Sequence, residues 1–221
     1  MPVTPAKVAV LASGRGSNLA ALFDARERGE LPVEFVLVGS DKAAAGALRL
    51  ADAANIPTLA LDPRSYPDRR AFDLELFARV TASGAEWLVL AGFMRILDGE
   101  ALRPWVGRII NIHPSLLPKY RGLHTHRRAL EAGDAEHGAS VHFVTAELDG
   151  GPVIAQARLS IVAGDNEQSL AERLLPLEHR LLPGVLAELA CGRLQWHEQG
   201  PRFDGQPLLM PLQLGEHGLQ P

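Results

Sequence analysis

Short apolar runs alternate with longer amphipathic stretches through the first half of this chain. Positions 8–11, 33–38, 58–61, 87–90 and 108–112 read as strands largely buried on both faces, because their hydrophobic residues follow one another with little polar interruption. Between them, positions 17–28, 43–54 and 68–83 read as helices, with Gly29 and Gly84 as carboxyl-terminal stops. That alternation predicts right-handed βαβ units and a mostly parallel central sheet flanked by helices, an α/β, Rossmann-like fold. After Gly138 the pattern changes. Positions 141–145 and 152–161 predict an added strand pair, antiparallel in part, joined by an acidic turn. Asp165 with Gln168 offers a capping box for a long final helix, which Pro176 and Pro183 should kink or shorten. From Gln195 onward the Gly and Pro punctuation predicts a short hairpin and a loose tail.

Composition narrows the classes without naming one. With 221 residues and 47% hydrophobic content the chain can bury a full core, and we expect a single domain over 1–221. A net charge of -4 gives no basic field for a phosphate backbone, so no nucleic-acid partner is expected. The single cysteine, Cys191, cannot close an internal disulfide and fits a reducing, cytoplasmic compartment. The opening residues are broken by two prolines, and their apolar run is too short for a signal peptide or membrane span.

The most informative stretch runs from Asn111 to Gly151. Asn111 and His113 close an apolar strand, and Pro114 ends it by removing a backbone donor and fixing φ. Residues i and i+2 of an extended chain share a face, so an amide donor and an imidazole stand side by side at the strand's carboxyl end, where open α/β sheets bind ligands. Asp149, in the turn-prone Asp149-Gly150-Gly151, could return a carboxylate to the same edge. Singly, each has an ordinary reading: a lone His is usually a satisfied structural residue, and a DGG sequence is usually only a turn. Together they form a credible set for stabilising an oxyanion while moving protons.

A second candidate is the loop Ser13-Gly14-Arg15-Gly16-Ser17-Asn18, between the first strand and the first helix. Glycines permit the sharp turn, and exposed amides at a helix start make an anion site. Leu19 stands where a dinucleotide fingerprint needs its third glycine, and no P-loop lysine follows, so the form suits one phosphate monoester. The five histidines 113, 124, 126, 137 and 142 lack zinc-site spacing, so no metal is expected. Ser17 and Ser115 lack the nucleophile elbow of acyl-serine enzymes.

The strings NIHPSLLPKYRG and DGGPVIAQ, at 111–122 and 149–156, resemble those of the folate-dependent formyltransferases. The similarity runs from the glycine loop to the EHRLLP segment at 178–183, and is nearest to the branch that formylates glycinamide ribonucleotide. It implies 10-formyltetrahydrofolate as co-substrate, glycinamide ribonucleotide as acceptor, and Asn111, His113 and Asp149 as the catalytic trio. It implies phosphate contacts at Gly16, Ser17 and Asn18, and further ribonucleotide contacts at Gly92, Pro114 and Glu178. Arg15 stands where some members carry Asn, and would add charge there. For folate the resemblance implies Arg69, at the glutamate tail, then Met94, Arg95, Ile96 and Leu97 beside the pterin. Asn111 and the loop Thr145, Ala146, Glu147, Leu148 and Asp149 complete that set. Read on their own, Leu90 and Ile96 are core residues, while Arg69 and Glu178 are helix surface charges. The implied layout is a phosphate-binding half at about 7–110, a catalytic and folate-binding half at 111–195, and a hairpin and tail at 196–221. A monomer or homodimer is expected.

Within the implied mechanism, protonated His113 stabilises the intermediate or protonates the departing folate nitrogen, and Asp149 raises the His113 pKa. Three rivals remain. A formyltetrahydrofolate hydrolase usually carries an amino-terminal regulatory domain, and the pattern here starts at Lys7. A methionyl-tRNA formyltransferase, whose loop Arg121 also resembles, adds a carboxyl-terminal nucleic-acid-binding domain. A nucleotide-binding module or NAD-dependent dehydrogenase is favoured by Asp41 after the second strand and disfavoured by the missing third glycine.

Overall fold

The computed structural model describes residues 5–221, so the expectation for the chain's opening falls in part on residues 1–4, outside the described residues. Chain contacts divide the molecule into two compact units, 1–111 and 112–221.

The first unit is built from β1 (Ala6–Leu11), α1 (Ser17–Glu27), β2 (Val33–Ser40), α2 (Gly46–Ala53), β3 (Thr58–Ala60), α3 (Arg69–Ala82), β4 (Trp87–Leu90), the single turn α4 (Gly99–Leu102) and the start of β5 (Ile109–His113). Its strands are all parallel, in the order β3-β2-β1-β4-β5. Strand order runs outward from β1 through β2 to β3, then returns to β4 on the other side of β1. Right-handed crossovers therefore put α1 and α3 on opposite faces, and the order reverses between β1 and β4. Ligand crevices form at such a reversal, outside the carboxyl ends of the strands. The apolar run Val8–Leu11 is fully buried, as a central parallel strand should be. α2 begins later than the sequence pattern suggests, because residues 42–45 form a turn closed by Ala45 N–H to the Lys42 carbonyl at 3.0 Å.

The second unit holds the end of β5, α5 (Thr125–Glu131), β6 (Glu136–Phe143), β7 (Val153–Ser160), α6 (Glu167–Ala190) and the short strands β8 (Leu194–Gln195), β9 (Arg202–Phe203), β10 (Gln206–Pro207), β11 (Leu212–Gly215) and β12 (Gly218–Gln220). β6 and β7 are antiparallel, as expected, but β6 starts five residues before the predicted strand. Its polar and small residues, Glu136 to Ser140, hide the start from a hydrophobicity pattern. The tail is not loose: β11 pairs with β7 in parallel and β12 folds back on β11, while β8, β9 and β10 form a separate three-stranded sheet.

Two expectations for α6, that the prolines shorten it and that Asp165 caps it, fail. It runs unbroken over 24 residues with Pro176 and Pro183 inside it. Leu174, Leu181, Leu182, Val185 and Leu186 on either side of the prolines are buried, and that packing outweighs the lost hydrogen bonds. The cap is one residue later than expected. Asn166 accepts from the amides of Gln168 and Ser169, and Ser169 reciprocates, because Asp165 is engaged by the Val162 amide.

Candidate active site

In the first unit, β1 delivers the chain into the loop 12–16. Ser13 N–H donates to the Gly92 carbonyl at 3.0 Å and the Ser13 hydroxyl accepts from Met94 N–H at 2.9 Å, so the loops after β1 and β4 are tied together at the strand-order reversal. Gly16 opens α1 with φ +87° and no side-chain cap. By contrast, Asp68 caps α3 and Asp98 caps α4 with their carboxylates. A side-chain cap consumes first-turn amides, and α1, opened by a glycine, has none. Gly16 also has no room for a side chain, since a Cβ there would lie 2.9 Å from Ala47 Cα. Beside this loop a cavity of about 350 Å³ is lined by Ser13, Gly14, Arg15, Lys42, Ala44, Ala45, Gly46 and Arg49. It holds three cationic residues and no acid.

The loop after β4 is anchored by buried Asp73, whose carboxylate accepts from Asp98 N–H at 2.7 Å. Burial pushes the Asp73 pKa up, against that hydrogen bond and the charges of Arg95 and Arg69. Arg95 folds its guanidinium over Phe72, 4.6 Å from the ring centroid, and exposed Arg69 reaches within 3.9 Å of Asp98. Leu90 and Leu97 are buried. Ile96 is not the core residue its hydrophobicity suggested: it is half exposed, like Met94, so the loop offers two apolar side chains outward. Gly92 adopts φ +77°. Asn111 is half-buried, near the end of β5.

In the second unit, β5 ends at His113 and Pro114 follows outside the strand, as predicted. His113 is buried. Its Nε2 meets the Tyr120 carbonyl at 3.0 Å, and its Nδ1 faces Asp149 Oδ2 at 3.5 Å. The same carboxylate oxygen accepts from Gly122 N–H at 2.9 Å. On its other side, Asp149 Oδ1 lies 3.6 Å from Nε2 of buried His142, whose Nδ1 donates to the Phe143 carbonyl at 2.8 Å. The residues Thr145, Ala146, Glu147, Leu148 and Asp149 form the irregular loop after β6, with Leu148 exposed and Glu147 paired to Arg121. Gly151 lets that loop close, because a Cβ there would sit 1.9 Å from the Phe143 carbonyl oxygen. Glu178 lies in the middle of α6 and is half-buried.

Asp149 does raise the His113 pKa, as expected, but it does not set the net direction. Burial pushes the His113 pKa below its ordinary 6.5, and the Tyr120 carbonyl and the Asp149 charge oppose this without reversing it. Asp149 therefore does not raise His113 above its usual range: desolvation of the cation wins. Burial works to raise Asp149 as well, but His142, the Gly122 amide and the His113 charge outweigh it and hold the carboxyl at about 2. A neutral imidazole beside a fixed anion is suited to receive a proton during a reaction, and the anion to stabilise the cation that results.

His142, the Gly122 amide and the Tyr120 carbonyl were not identified from sequence as parts of this cluster. His142 had a signal, sitting at the end of the strand that feeds the acidic loop. The two main-chain groups had none, since any residue supplies them. His126 Nδ1 and His137 Nε2 pair with each other at 3.0 Å. Among the described residues no group of three or more His, Cys, Asp or Glu could hold a metal ion, and no helix is long and apolar enough to cross a membrane.

Comparison with known proteins agrees with the motifs. The formyl transferase family model matches residues 6–186. The phosphoribosylglycinamide formyltransferase of Escherichia coli strain K12 is 48% identical over 201 residues, covering 91% of this chain and 95% of that protein. The trifunctional purine biosynthetic protein adenosine-3 of Drosophila pseudoobscura pseudoobscura is 46% identical over 191 residues, 86% of this chain but 14% of that longer protein. The solved phosphoribosylglycinamide formyltransferase of Coxiella burnetii superposes with a TM-score of 0.88 at 46% identity, covering 92% of this chain and 95% of that one. Matched along most of its length in both sequence and structure, the chain belongs to the formyl transferase family.

Proposed function

We propose that this protein transfers the formyl group of 10-formyltetrahydrofolate to the glycyl amine of glycinamide ribonucleotide, giving the N-formyl product and tetrahydrofolate in purine biosynthesis. The observation that carries this reading is Asp149, an anion held between the two buried imidazoles of His113 and His142 and fixed by the Gly122 amide. The substrate amine attacks the formyl carbon, and Asn111 donates to the oxyanion of the tetrahedral intermediate. His113 begins neutral, takes the proton released by the attacking nitrogen, and returns it to the departing folate nitrogen. Asp149 stabilises the imidazolium in between.

The substrate's phosphate sits on the uncapped start of α1, at Gly16, Ser17 and Asn18, with Arg15, Lys42 and Arg49 raising the local potential. Gly92, Pro114 and Glu178 complete the ribonucleotide contacts. The exposed apolar residues Met94 and Ile96, with Arg95, Leu97, Asn111 and the loop Thr145, Ala146, Glu147, Leu148 and Asp149, take the pterin, and Arg69 takes the glutamate tail. Both units serve one formyltransferase domain, needing no metal, nucleic acid or membrane, and acting in the cytoplasm as a monomer or homodimer.

The test is tetrahydrofolate release from 10-formyltetrahydrofolate, with and without glycinamide ribonucleotide. Release that requires the amine supports transfer. Release without it identifies a hydrolase, and no release in either case refutes the assignment. Asn111→Ala should lower turnover on the order of 100- to 1,000-fold. A folded variant with near-normal turnover would remove Asn111 from the mechanism.

A further inference from the structure

We propose that the loop 119–122 sets the tautomer of His113. In this arrangement the Tyr120 carbonyl keeps the hydrogen on Nε2, and Nδ1, the nitrogen facing Asp149, is the atom that gains and loses the proton. Tyr120 and Asp134 are then positioning residues for the reaction. The proposal deepens the formyl-transfer reading and rests on it for its catalytic meaning, but the tautomer itself can be measured without any substrate.

The argument starts from donors and acceptors. A carbonyl oxygen carries no hydrogen, so the 3.0 Å contact between His113 Nε2 and the Tyr120 carbonyl requires the hydrogen on Nε2. Nδ1 faces the Asp149 carboxylate at 3.5 Å, longer than a well-formed hydrogen bond. In the opposite tautomer the Nε2 lone pair would point at the carbonyl lone pairs inside a buried site, and the shorter contact would be lost. The neutral ring is therefore held with its lone pair toward Asp149. A proton arriving there completes a charged pair that is absent beforehand.

The carbonyl is held firmly. Tyr120 has φ +55°, a conformation that non-glycine residues rarely adopt, so its surroundings must hold it there. Its phenol donates to Asp134 Oδ2 at 2.8 Å, and Lys119 Nζ reaches both oxygens of Asp134 at 3.0 Å. The Arg128 guanidinium lies 5.2 Å from the Tyr120 ring centroid and donates to the Arg121 carbonyl at 2.6 Å. The Ser115 hydroxyl donates to the Lys119 carbonyl at 2.6 Å. Two residues after Tyr120, Gly122 N–H donates to Asp149 Oδ2, the oxygen that faces Nδ1. The loop thus offers an acceptor to the imidazole and a donor to the carboxylate, fixing both members of the pair from one short segment.

The experiment uses the full chain with ¹⁵N-labelled histidine, free of ligand, at about pH 8, with His113 assigned by comparison with His113→Gln. Two-bond ¹H–¹⁵N correlation should show a protonated Nε2 and an unprotonated Nδ1 for His113. A protonated Nδ1 overturns the proposal outright. Tyr120→Phe and Asp134→Asn, which keep ring shape and side-chain volume, should move His113 toward an average of the two tautomers. They should also lower kcat roughly 10- to 100-fold with KM little changed. Arg128→Lys gives a third release of the same loop if either variant fails to fold. Folded variants with the wild-type His113 pattern and wild-type kcat would remove the positioning role. If the wild-type tautomer is as stated but no formyl transfer occurs, the activity assignment fails and the tautomer stands.

Discussion

The two compact units of this protein offer charge to a ligand by opposite physical means. Residues 1–111 use main chain: an uncapped helix start at Gly16, with Arg15, Lys42 and Arg49 exposed around a neighbouring cavity. Residues 112–221 use side chains: buried His113 and His142 and half-buried Asp149, each with a specific partner and little solvent. The contrast is one of consequence. Helix-end amides and exposed cations attract an anion in ground state and transition state alike, so their loss should appear in KM. Buried ionisable groups hold a protonation state, so their loss should appear in kcat and in pH dependence.

The largest effect is expected at the Asp149 anion. Asp149→Asn keeps the shape and removes the charge that would stabilise a His113 imidazolium, so kcat should fall roughly 100- to 10,000-fold with KM changed far less. The wild-type profile of kcat/KM should hold its activity down past pH 6.5, because burial places the His113 pKa below that value. In Asp149→Asn the residual activity should hold to still lower pH, since one influence raising the His113 pKa is gone. The double variant with His113→Gln should be no worse than the poorer single one, as groups acting together are not additive. A KM effect in place of a kcat effect would erase the distinction between the units.

Next comes a histidine pair outside the proposed chemistry. His126 and His137 share a 3.0 Å contact, and burial, followed by the His126 charge, pushes His137 down to about 4 from an ordinary 6.5. The folded pKa is depressed, so below pH 6.5 the unfolded chain binds a proton that the native state refuses. Stability is therefore full above pH 6.5 and is lost as pH falls toward 4, by about 3 kcal/mol for this group. Urea midpoints at pH 7 and 4.5 measure it. His137→Gln should flatten the difference while leaving kcat near wild type. A strong kcat loss in a folded His137→Gln protein would mean that this pair belongs to the reaction as well.

The same contrast explains what could be read from the sequence. The parallel unit was legible almost strand by strand, because strands buried on both faces announce themselves as apolar runs, and the glycine loop was visible for the same reason. In the second unit β6 begins with polar and small residues, and α6 contains two prolines that local rules count as breaks. Packing overrode both. Among the site residues the motif supplied His113 and Asp149, but not the direction of the His113 pKa, because desolvation depends on burial that no string of letters reports. Ile96 failed for a related reason: hydrophobicity suggests a core, but the residue stands half exposed in the loop after β4.

In the first unit, Gly16→Ala should raise KM for the ribonucleotide about tenfold with a smaller change in kcat. The φ of +87° costs an L residue on the order of 1–2 kcal/mol, and the new methyl would press on α2, displacing the amides at the start of α1. Gly14→Ala, where a Cβ meets nothing within 4 Å, is the matched control and should change KM little. Equal effects at the two glycines would mean that the loop's flexibility, rather than its fixed amide geometry, matters for binding.

The smallest effect belongs to the exposed cations. Lys42 and Arg49 reach the cavity from the turn before α2 and from α2 itself, and no acid lines it with them. Their attraction acts through solvent, so it should be screened over the Debye length of about 10 Å at 0.1 M salt. Lys42→Gln with Arg49→Gln should therefore raise KM for the ribonucleotide only about threefold at low ionic strength, through slower association. The difference should vanish as salt is raised, whereas the Gly16→Ala effect should persist because it is geometric. A salt-independent loss in the double variant would mean that these two side chains contact the phosphate directly. The first unit would then act through side-chain charges, as the second does, and the contrast between the units would reduce to burial alone.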